Sequence, residues 1–115
     1  MQNEYVTVNL EEGMPLVEQA IKKLTYHINL HKRGGTRAMK VIHGFGSSGK
    51  GGRIRVETRS YLASLKRRGM ITAFIPGEDF SIFDAQTRLA IDRCGALRRD
   101  SDLERHNNGI TIILL

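Results

Sequence analysis

The sequence predicts a single α/β domain in which strands and helices alternate. The chain has 115 residues, the usual size of one domain. Its apolar residues switch between the spacing of strands and the spacing of helices, in the order β-α-β-α-β. No internal repeat or low-complexity tract interrupts that order. The order implies right-handed crossovers and a mainly parallel sheet covered by helices.

The first part of the chain predicts two strands with a helix between them. Val6, Val8 and Leu10 alternate with polar residues, which is typical of a half-buried strand ending near Leu10. A helix follows and is ended by glycines 34 and 35. The apolar run Ala38–Ile42 then suits a buried strand. The apolar positions of the helix are Val17, Ala20, Ile21, Leu24 and Ile28.

The second part predicts one more helix and two more strands. The helix runs from about Arg53 to Arg68 and is followed by a third strand over Met70–Ile75, which Pro76 and Gly77 close. The last strand is Ile110–Leu115, preceded by a strong turn signal at residues 107–109. The inner face of the helix carries Ile54, Thr58, Tyr61, Leu62 and Leu65.

Residues 78–108 do not follow this alternation, and we interpret them as an insertion before the last strand. The middle of the segment, Asp84–Arg98, predicts a helix that presents Phe83, Leu89, Ile91 and Leu97. The segment is acidic, which suggests two hypotheses: it covers a basic surface as a mimic of nucleic acid, or it binds a protein partner. Its acidic residues are Glu78, Asp79, Asp84, Asp92, Asp100, Asp102 and Glu104.

The distribution of positive charge favours a polyanionic partner. The net charge is +6, and between Met39 and Gly77 the only acidic residue is Glu57. Clustered positive charge concentrates nucleic acid and speeds its association; the alternative is a solvated basic face without a partner. The basic residues of this stretch are Lys40, Lys50, Arg53, Arg55, Arg59, Lys66, Arg67 and Arg68.

Several classes of protein are not supported by the sequence. Cys94 is the only cysteine, so the chain cannot close a disulfide within itself, and no redox pair or metal-ligand spacing is present. Residues 1–5 lack the basic start and the apolar run of a secretion signal. The longest apolar run is too short to span a bilayer. We therefore expect a cytoplasmic protein with no membrane partner and no metal centre built from a ligand cluster.

A glycine-rich loop follows the second strand. Gly44, Gly46 and Gly49 satisfy the dinucleotide pattern G-x-G-x-x-G, and with Lys50 they satisfy most of a phosphate-loop motif. Gly51 stands where the phosphate loop needs Ser or Thr, and the stretch is too long for the dinucleotide turn, so we expect no nucleotide cofactor. Backbone N–H groups beside a helix N-terminus can still form an anion site. The alternative is a flexible glycine linker.

Candidate site residues surround this loop. His43 lies at the strand end, where it could transfer a proton, bind a phosphoryl oxygen or be purely structural. Glu11 or Glu12 ends the first strand and lies on the same rim if the two strands are neighbours; either is a candidate general base or metal ligand, or simply part of a polar turn. Phe45 could stack on a base or plug the loop into the core.

Basic side chains supply the charge that such a site needs. Lys50 and Arg53 belong to the loop and the start of the helix, and we expect Arg55 and Arg59 to contact phosphates from its outer side. The cations at residues 66–68 are explained by the helix dipole. Aromatic residues are sparse, which favours recognition of the backbone rather than of base identity.

These residues resemble a known family. The stretch Val41–Gly46 followed by Arg53–Arg55 resembles the H-G-x-G signature of the Smr (small MutS-related) domain. Val17–Ile21 resembles that family's first helix, and Gly109–Leu114 resembles its closing strand. The resemblance covers nearly the whole chain except residues 78–108.

The resemblance implies a two-layer β-α-β-α-β-β sandwich with a mixed sheet, similar to the C-terminal domain of bacterial translation initiation factor three, here with a partly helical insertion. It also implies binding to DNA or RNA and, in many members, nicking or endonuclease activity with His43 as acid–base catalyst or phosphate ligand. Many members carry L-D-L-H-G at the end of the first strand. In this chain Asn9 replaces the aspartate and a glutamate stands where the histidine would be. Two hypotheses therefore stay open: an endonuclease, with or without a divalent metal, and a binding or protein-interaction module that has lost the first catalytic motif.

Overall fold

The fold is taken from a computed structural model that describes residues 4–45 and 50–115. Gly46, Gly49 and the side chain of Lys50, which belong to the predicted phosphate site, lie outside the described residues. The elements in chain order are β1 (Tyr5–Asn9), α1 (Val17–Arg33), β2 (Ala38–Ile42), α2 (Lys50–Arg67), β3 (Ala73–Pro76), α3 (Ala85–Arg93) and β4 (Ile110–Leu114). Two 3₁₀ turns, Gly77–Asp79 and Gly95–Arg99, flank α3.

The four strands form one mixed sheet in the order β1-β2-β4-β3. β1 runs parallel to β2, and β4 is antiparallel to both of its neighbours, β2 and β3. The α/β class is therefore confirmed, but the expected mainly parallel sheet is wrong: β1, β2 and β3 point in the same direction, yet β4 lies between β2 and β3, so only the pairing of β1 with β2 is parallel. Their carboxyl ends lie at the same edge of the sheet as the start of β4. We call the loops after Asn9, Ile42 and Pro76, with the turn before Ile110, the carboxyl edge.

The first face of the sheet is covered by α1 and α2. Alternate residues of the strands, such as Val41 and Ile113, pack there against Leu24 of α1 and Leu62 of α2. The helical spacing in the sequence places these side chains on one side of each helix. The predicted inner faces are confirmed in most of their residues: Ala20, Leu24, Ile28, Ile54, Thr58, Leu62 and Leu65 are buried. Val17, Ile21 and Tyr61 are partly buried at the margin of the same core.

The second face is covered by the insertion, which makes the domain three layers deep rather than two. Ile112 and Ala73 of the sheet are buried there against Phe80, Ile91 and Leu97. Because β4 places Ile110, Ile112 and Leu114 on the second face, that apolar surface would be exposed to water in a two-layer sandwich. The predicted helix is shorter than expected: Asp84 caps α3 by accepting a hydrogen bond from the Thr87 amide, and the chain leaves helical geometry at Cys94.

The acidic side chains of the insertion mostly serve the fold. Five of the seven accept hydrogen bonds inside the domain, and the helices of the insertion lie across the sheet from α2. The hypothesis was that the acidic side chains of the insertion cover the basic helix. Among the five bonded residues, only Glu78 bonds to α2, through Arg59. The five residues and their partners are Glu78 with Arg59, Asp84 with Thr87, Asp100 and Asp102 with Lys40, and Glu104 with the Ile82 amide.

α2 begins three residues earlier than predicted, at Lys50 rather than near Arg53. Glycine disfavours a helix interior by about 1 kcal/mol relative to alanine, so residues 51 and 52 gave no helical signal in the sequence. Neither α2 nor any other helix in the described part of the chain is long and apolar enough to cross a membrane.

Candidate functional site

The ends of β1 and β2 meet at the carboxyl edge, as the sequence predicted for neighbouring strands. Asn9 pairs with Ile42, and the Leu10 amide donates to the Ile42 carbonyl over 2.8 Å. Gly44 follows with a φ of +73°. A Cβ atom built on Gly44 would lie 2.5 Å from a carboxylate oxygen of Glu11. The Glu11 side chain therefore lies directly against the Gly44 backbone, at a position where glycine leaves room for it.

Only one of the two candidate glutamates belongs to this site. Glu12 lies 3.7 Å from the Lys23 ammonium in a surface ion pair, and Lys23 also donates to the Asn9 carbonyl. Glu12 is therefore directed toward α1, whereas Glu11 is exposed beside Gly44. The structure brings Glu11 to the glycine loop and leaves Glu12 outside it.

His43 is completely buried, and both of its ring nitrogens have partners. Nδ1 lies 2.8 Å from the Gly44 carbonyl oxygen, and Nε2 lies 2.7 Å from the Thr111 hydroxyl. A carbonyl oxygen can only accept, so Nδ1 carries the proton and Nε2 accepts from Thr111. Burial lowers the pKa of His43 to about 4; the bond to Gly44 opposes this shift, while Arg59 and Arg55 add to it. The imidazole is therefore neutral at physiological pH.

Arg59 continues this chain of hydrogen bonds to the surface. Its Nε donates to the Thr111 hydroxyl over 3.2 Å, and its two terminal nitrogens bind Glu78 over 2.8 and 2.7 Å. It also donates to the Ile110 carbonyl. Burial alone would raise the pKa of Glu78, but the hydrogen bonds from Arg59 hold it below its ordinary value. We call His43, Thr111, Arg59 and Glu78 the His43 network.

Arg59 was predicted to contact phosphates, and the structure gives its guanidinium partners within the domain instead. Its side chain is only 19% exposed. Thr111 and Glu78 were not predicted as members of the site. The pairing of β2 with β4 brings Thr111 near His43, and Glu78 follows β3, which pairs with the other side of β4. One signal was present: Thr111 is the only polar residue between Ile110 and Leu115.

Two further cations of α2 lie near the carboxyl edge, one exposed and one half-buried. Arg53 is exposed and borders a groove with Met14 and Leu16, and Arg55 lies near enough to His43 to lower its pKa. Neither guanidinium forms an ion pair with a carboxylate of residues 4–45 or 50–115. The basic residues 66–68 lie at the other end of α2, which has 18 residues and is about 27 Å long.

Phe45 is a partly exposed aromatic residue of the same edge. The residue is 55% exposed, and its ring lies against Gly109, where an added Cβ atom would be 3.2 Å from a ring carbon. The amides of both His43 and Gly44 donate to the Gly109 carbonyl over 3.0 Å. The Gly44 amide is therefore already bonded, and the predicted anion site depends on amides beyond it. Phe45 is exposed enough to stack on a base.

The described residues give no sign of a metal centre at this edge. No group of three or more His, Cys, Asp or Glu side chains within them could hold a metal ion.

Comparison of the chain with protein-family models, with curated proteins and with solved structures found no match. The resemblance to the Smr domain accordingly rests on the motifs and on their positions along the chain.

Proposed function

We propose that the protein is an Smr-like nucleic-acid-binding domain that holds the phosphate backbone of DNA or RNA at the carboxyl edge. One observation carries the proposal: Arg53 and Arg55 lie without carboxylate partners among the described residues, on the same edge as Gly44 and the exposed ring of Phe45. Unpaired guanidinium groups beside close-approaching backbone are the groups that phosphates prefer.

Each residue has a separate role in this proposal. Arg53 and Arg55 neutralise phosphates, and Phe45 stacks on an unpaired base. Gly44 lets the chain turn tightly against Glu11. Arg59 holds β4, α2 and the insertion together instead of contacting a phosphate. Gly46, Gly49 and Lys50 complete the anion site through the rest of the loop and the start of α2.

The arrangement of the sheet supports the finer proposal of a fold similar to the C-terminal domain of translation initiation factor three. Leaving out the insertion, the elements follow the order β-α-β-α-β-β with a mixed sheet. The insertion is then an addition between the last two strands that covers the second face.

The test is a binding measurement with a charge-matched control on the same helix. Fluorescence polarisation with labelled single-stranded RNA, duplex DNA and branched DNA would be recorded over a range of salt concentrations. The double variant R53Q/R55Q should bind more weakly and lower the slope of log affinity against log salt by about 2, or about 1 per lost phosphate contact. The control K66Q/R67Q removes the same charge at the far end of α2 and should bind nearly as well as the wild type.

Two results would count against the proposal. One is affinity that does not depend on salt, because backbone binding must release counterions. The other is an equal loss in both double variants, which would show that net charge, and not the carboxyl edge, attracts the nucleic acid.

Cleavage is a second candidate function, and the position of Glu11 favours it. His43 is buried and neutral with both nitrogens bonded, so a cleaving site would use Glu11 as the general base beside Gly44. In a nicking assay with and without Mg²⁺ or Mn²⁺, E11Q should lose cleavage while E12Q retains it. Binding without any cleavage by the wild type would leave the binding module as the function.

A further inference from the structure

A pair of histidines lies on α1, outside the carboxyl edge. His27 and His31 are one helical turn apart, and both are half-buried. His27 Nδ1 lies 3.4 Å from His31 Nε2, and the two rings are nearly parallel, with 17° between their planes. Two histidines at positions i and i+4 of a helix are the spacing through which several metalloproteins bind zinc.

The separation of the two nitrogens fits a shared metal ion. Zinc–nitrogen bonds in proteins are about 2.0–2.1 Å long and tetrahedral, which places two nitrogen ligands of one ion about 3.3–3.4 Å apart. The 3.4 Å between His27 Nδ1 and His31 Nε2 agrees with this value. We propose that His27 and His31 form a two-histidine site for a divalent late transition-metal ion, Zn²⁺ or Cu²⁺. This site is independent of the proposed nucleic-acid function.

Neighbouring contacts hold the two rings in place. Tyr26 and His27 pack in a T-shaped arrangement, with ring centroids 5.2 Å apart and an interplanar angle of 86°. The Thr36 amide donates to the His31 carbonyl, which fixes the last turn of α1. A site whose ligands are already oriented loses less conformational entropy when the ion binds.

The nearby ammonium groups are bonded away from the pair. Lys23 donates to the Asn9 carbonyl over 2.8 Å, and Lys32 donates to the Met70 carbonyl over 2.6 Å. Their charges still weaken the site, but neither amine occupies the space between the imidazoles. No third His, Cys, Asp or Glu joins the pair within the described residues. The ion would therefore keep open coordination positions for water or an added ligand.

In the metal-free protein, one of the two facing nitrogens carries a proton that forms the bond between the rings. An ion needs a lone pair from both facing nitrogens. His27 must therefore carry its proton on Nε2, and His31 must carry its proton on Nδ1. This exchange of tautomers needs no change in the total number of protons when both imidazoles are neutral.

The experiment is calorimetric titration of Zn²⁺ and of Cu²⁺ into untagged protein at pH 7.5 in a buffer that does not chelate metals. One equivalent should bind, with Cu²⁺ tighter than Zn²⁺. H27Q and H31Q should each weaken binding by at least about tenfold, because the second imidazole no longer acts at high effective concentration. The control H106N removes an exposed histidine elsewhere and should leave binding unchanged; asparagine suits the positive φ of residue 106.

A second measurement separates loss of the site from loss of the fold. Metal should raise the melting temperature of the wild type and of H106N, because the paired geometry exists only in the folded helix. The same metal should not raise the melting temperature of H27Q or H31Q, whose metal-free melting curves report whether they fold. Binding that survives in H27Q/H31Q, or an absence of binding by the wild type, would overturn the site.

Discussion

The two faces of the sheet bury polar clusters of opposite character. On the face of α1 and α2, the centre of the His43 network is neutral, and only its outer end carries the ion pair of Arg59 with Glu78. On the second face, Lys40 lies 3.0 Å from Asp100 and 2.7 Å from Asp102, with little of any side chain exposed.

The pKa shifts of Lys40 and Tyr5, both on the second face, depend on the neighbouring aspartates as well as on burial. Burial alone would lower the pKa of Lys40, but hydrogen bonds to Asp102 and Asp100 outweigh it and raise that pKa above its ordinary value. Burial also raises the pKa of Tyr5, helped by the bond that its hydroxyl donates to Asp100. We call Lys40, Asp100, Asp102 and Tyr5 the Lys40 cluster.

The comparison teaches that the two clusters serve different ends. The Lys40 cluster joins β1 and β2 to the end of the insertion, so it attaches the third layer to the sheet. The His43 network joins β2, β4 and α2 at the carboxyl edge and ends at the surface. The Lys40 cluster is built on full charges, and the His43 network avoids charge where it is most buried.

Removing the lysine should give the largest loss of stability in the molecule. Lys40→Met leaves Asp100 and Asp102 buried without their cation, which in comparable sites costs about 3–5 kcal/mol. The free energy of unfolding from urea denaturation at pH 7 measures this loss. If the Lys40 cluster attaches the insertion to the sheet, amide hydrogen exchange in residues 85–104 should also become faster in Lys40→Met.

A surface lysine provides the control for this prediction. Lys22 pairs with Glu18 on α1 with both side chains more than three quarters exposed, so Lys22→Met should change stability by less than about 1 kcal/mol. A loss below about 1 kcal/mol in Lys40→Met would show that the two aspartates reach water without the lysine. The second face would then not depend on buried charges, and the proposed difference between the two faces would be wrong.

The His43 network should instead make the free energy of unfolding depend on pH. The folded-state pKa of His43, about 4, lies below the ordinary value of 6.5, so the unfolded chain takes up a proton at a higher pH than the folded chain does. Stability is therefore lost as pH falls from about 6.5 to about 4. The expected loss between pH 7 and pH 5 is about 2 kcal/mol.

Variants isolate the contribution of this histidine. H43Q should flatten the dependence between pH 7 and pH 5, although it lowers stability at every pH. Burial and His31 lower the pKa of His27 as well, so H27Q should remove a smaller part of the slope. Asp102 and Glu78 have lowered pKa values and lose their stabilising effect only at lower pH, outside this window. An unchanged slope in H43Q would show that folding does not lower the pKa of His43.

Much of the fold could be read from the sequence because it depends on local periodicity. The strand Ala38–Ile42 has the predicted bounds, and the buried residues of α1 and α2 follow helical spacing. The third layer could not be predicted, because α3 has only nine residues and gives a weak amphipathic signal. Its burial depends on contacts with strands that are distant in the sequence.

The candidate site was predictable in its position but not in its internal bonds. Parallel neighbouring strands place Glu11 beside Gly44, whereas the sequence left open whether Glu11 or Glu12 would lie on this rim. The burial of His43 and the ion pair of Arg59 with Glu78 depend on the position of β4 between β2 and β3. That position results from a long-range antiparallel pairing for which the sequence carries no local signal.

The smallest predicted effect compares two buried threonines on the same face. Thr111→Val keeps the shape of the side chain but leaves His43 Nε2 without a donor and Arg59 Nε without an acceptor, which should cost about 1–2 kcal/mol. The Thr58 hydroxyl is also buried, and it has no hydrogen-bond partner among the described residues. Thr58→Val should therefore leave stability unchanged or raise it slightly, because a hydroxyl without a partner contributes only its desolvation penalty. Urea denaturation of both variants at pH 7 measures the difference; equal effects would mean that the Thr111 hydroxyl does not bridge His43 and Arg59, and the neutral network would lose its central link.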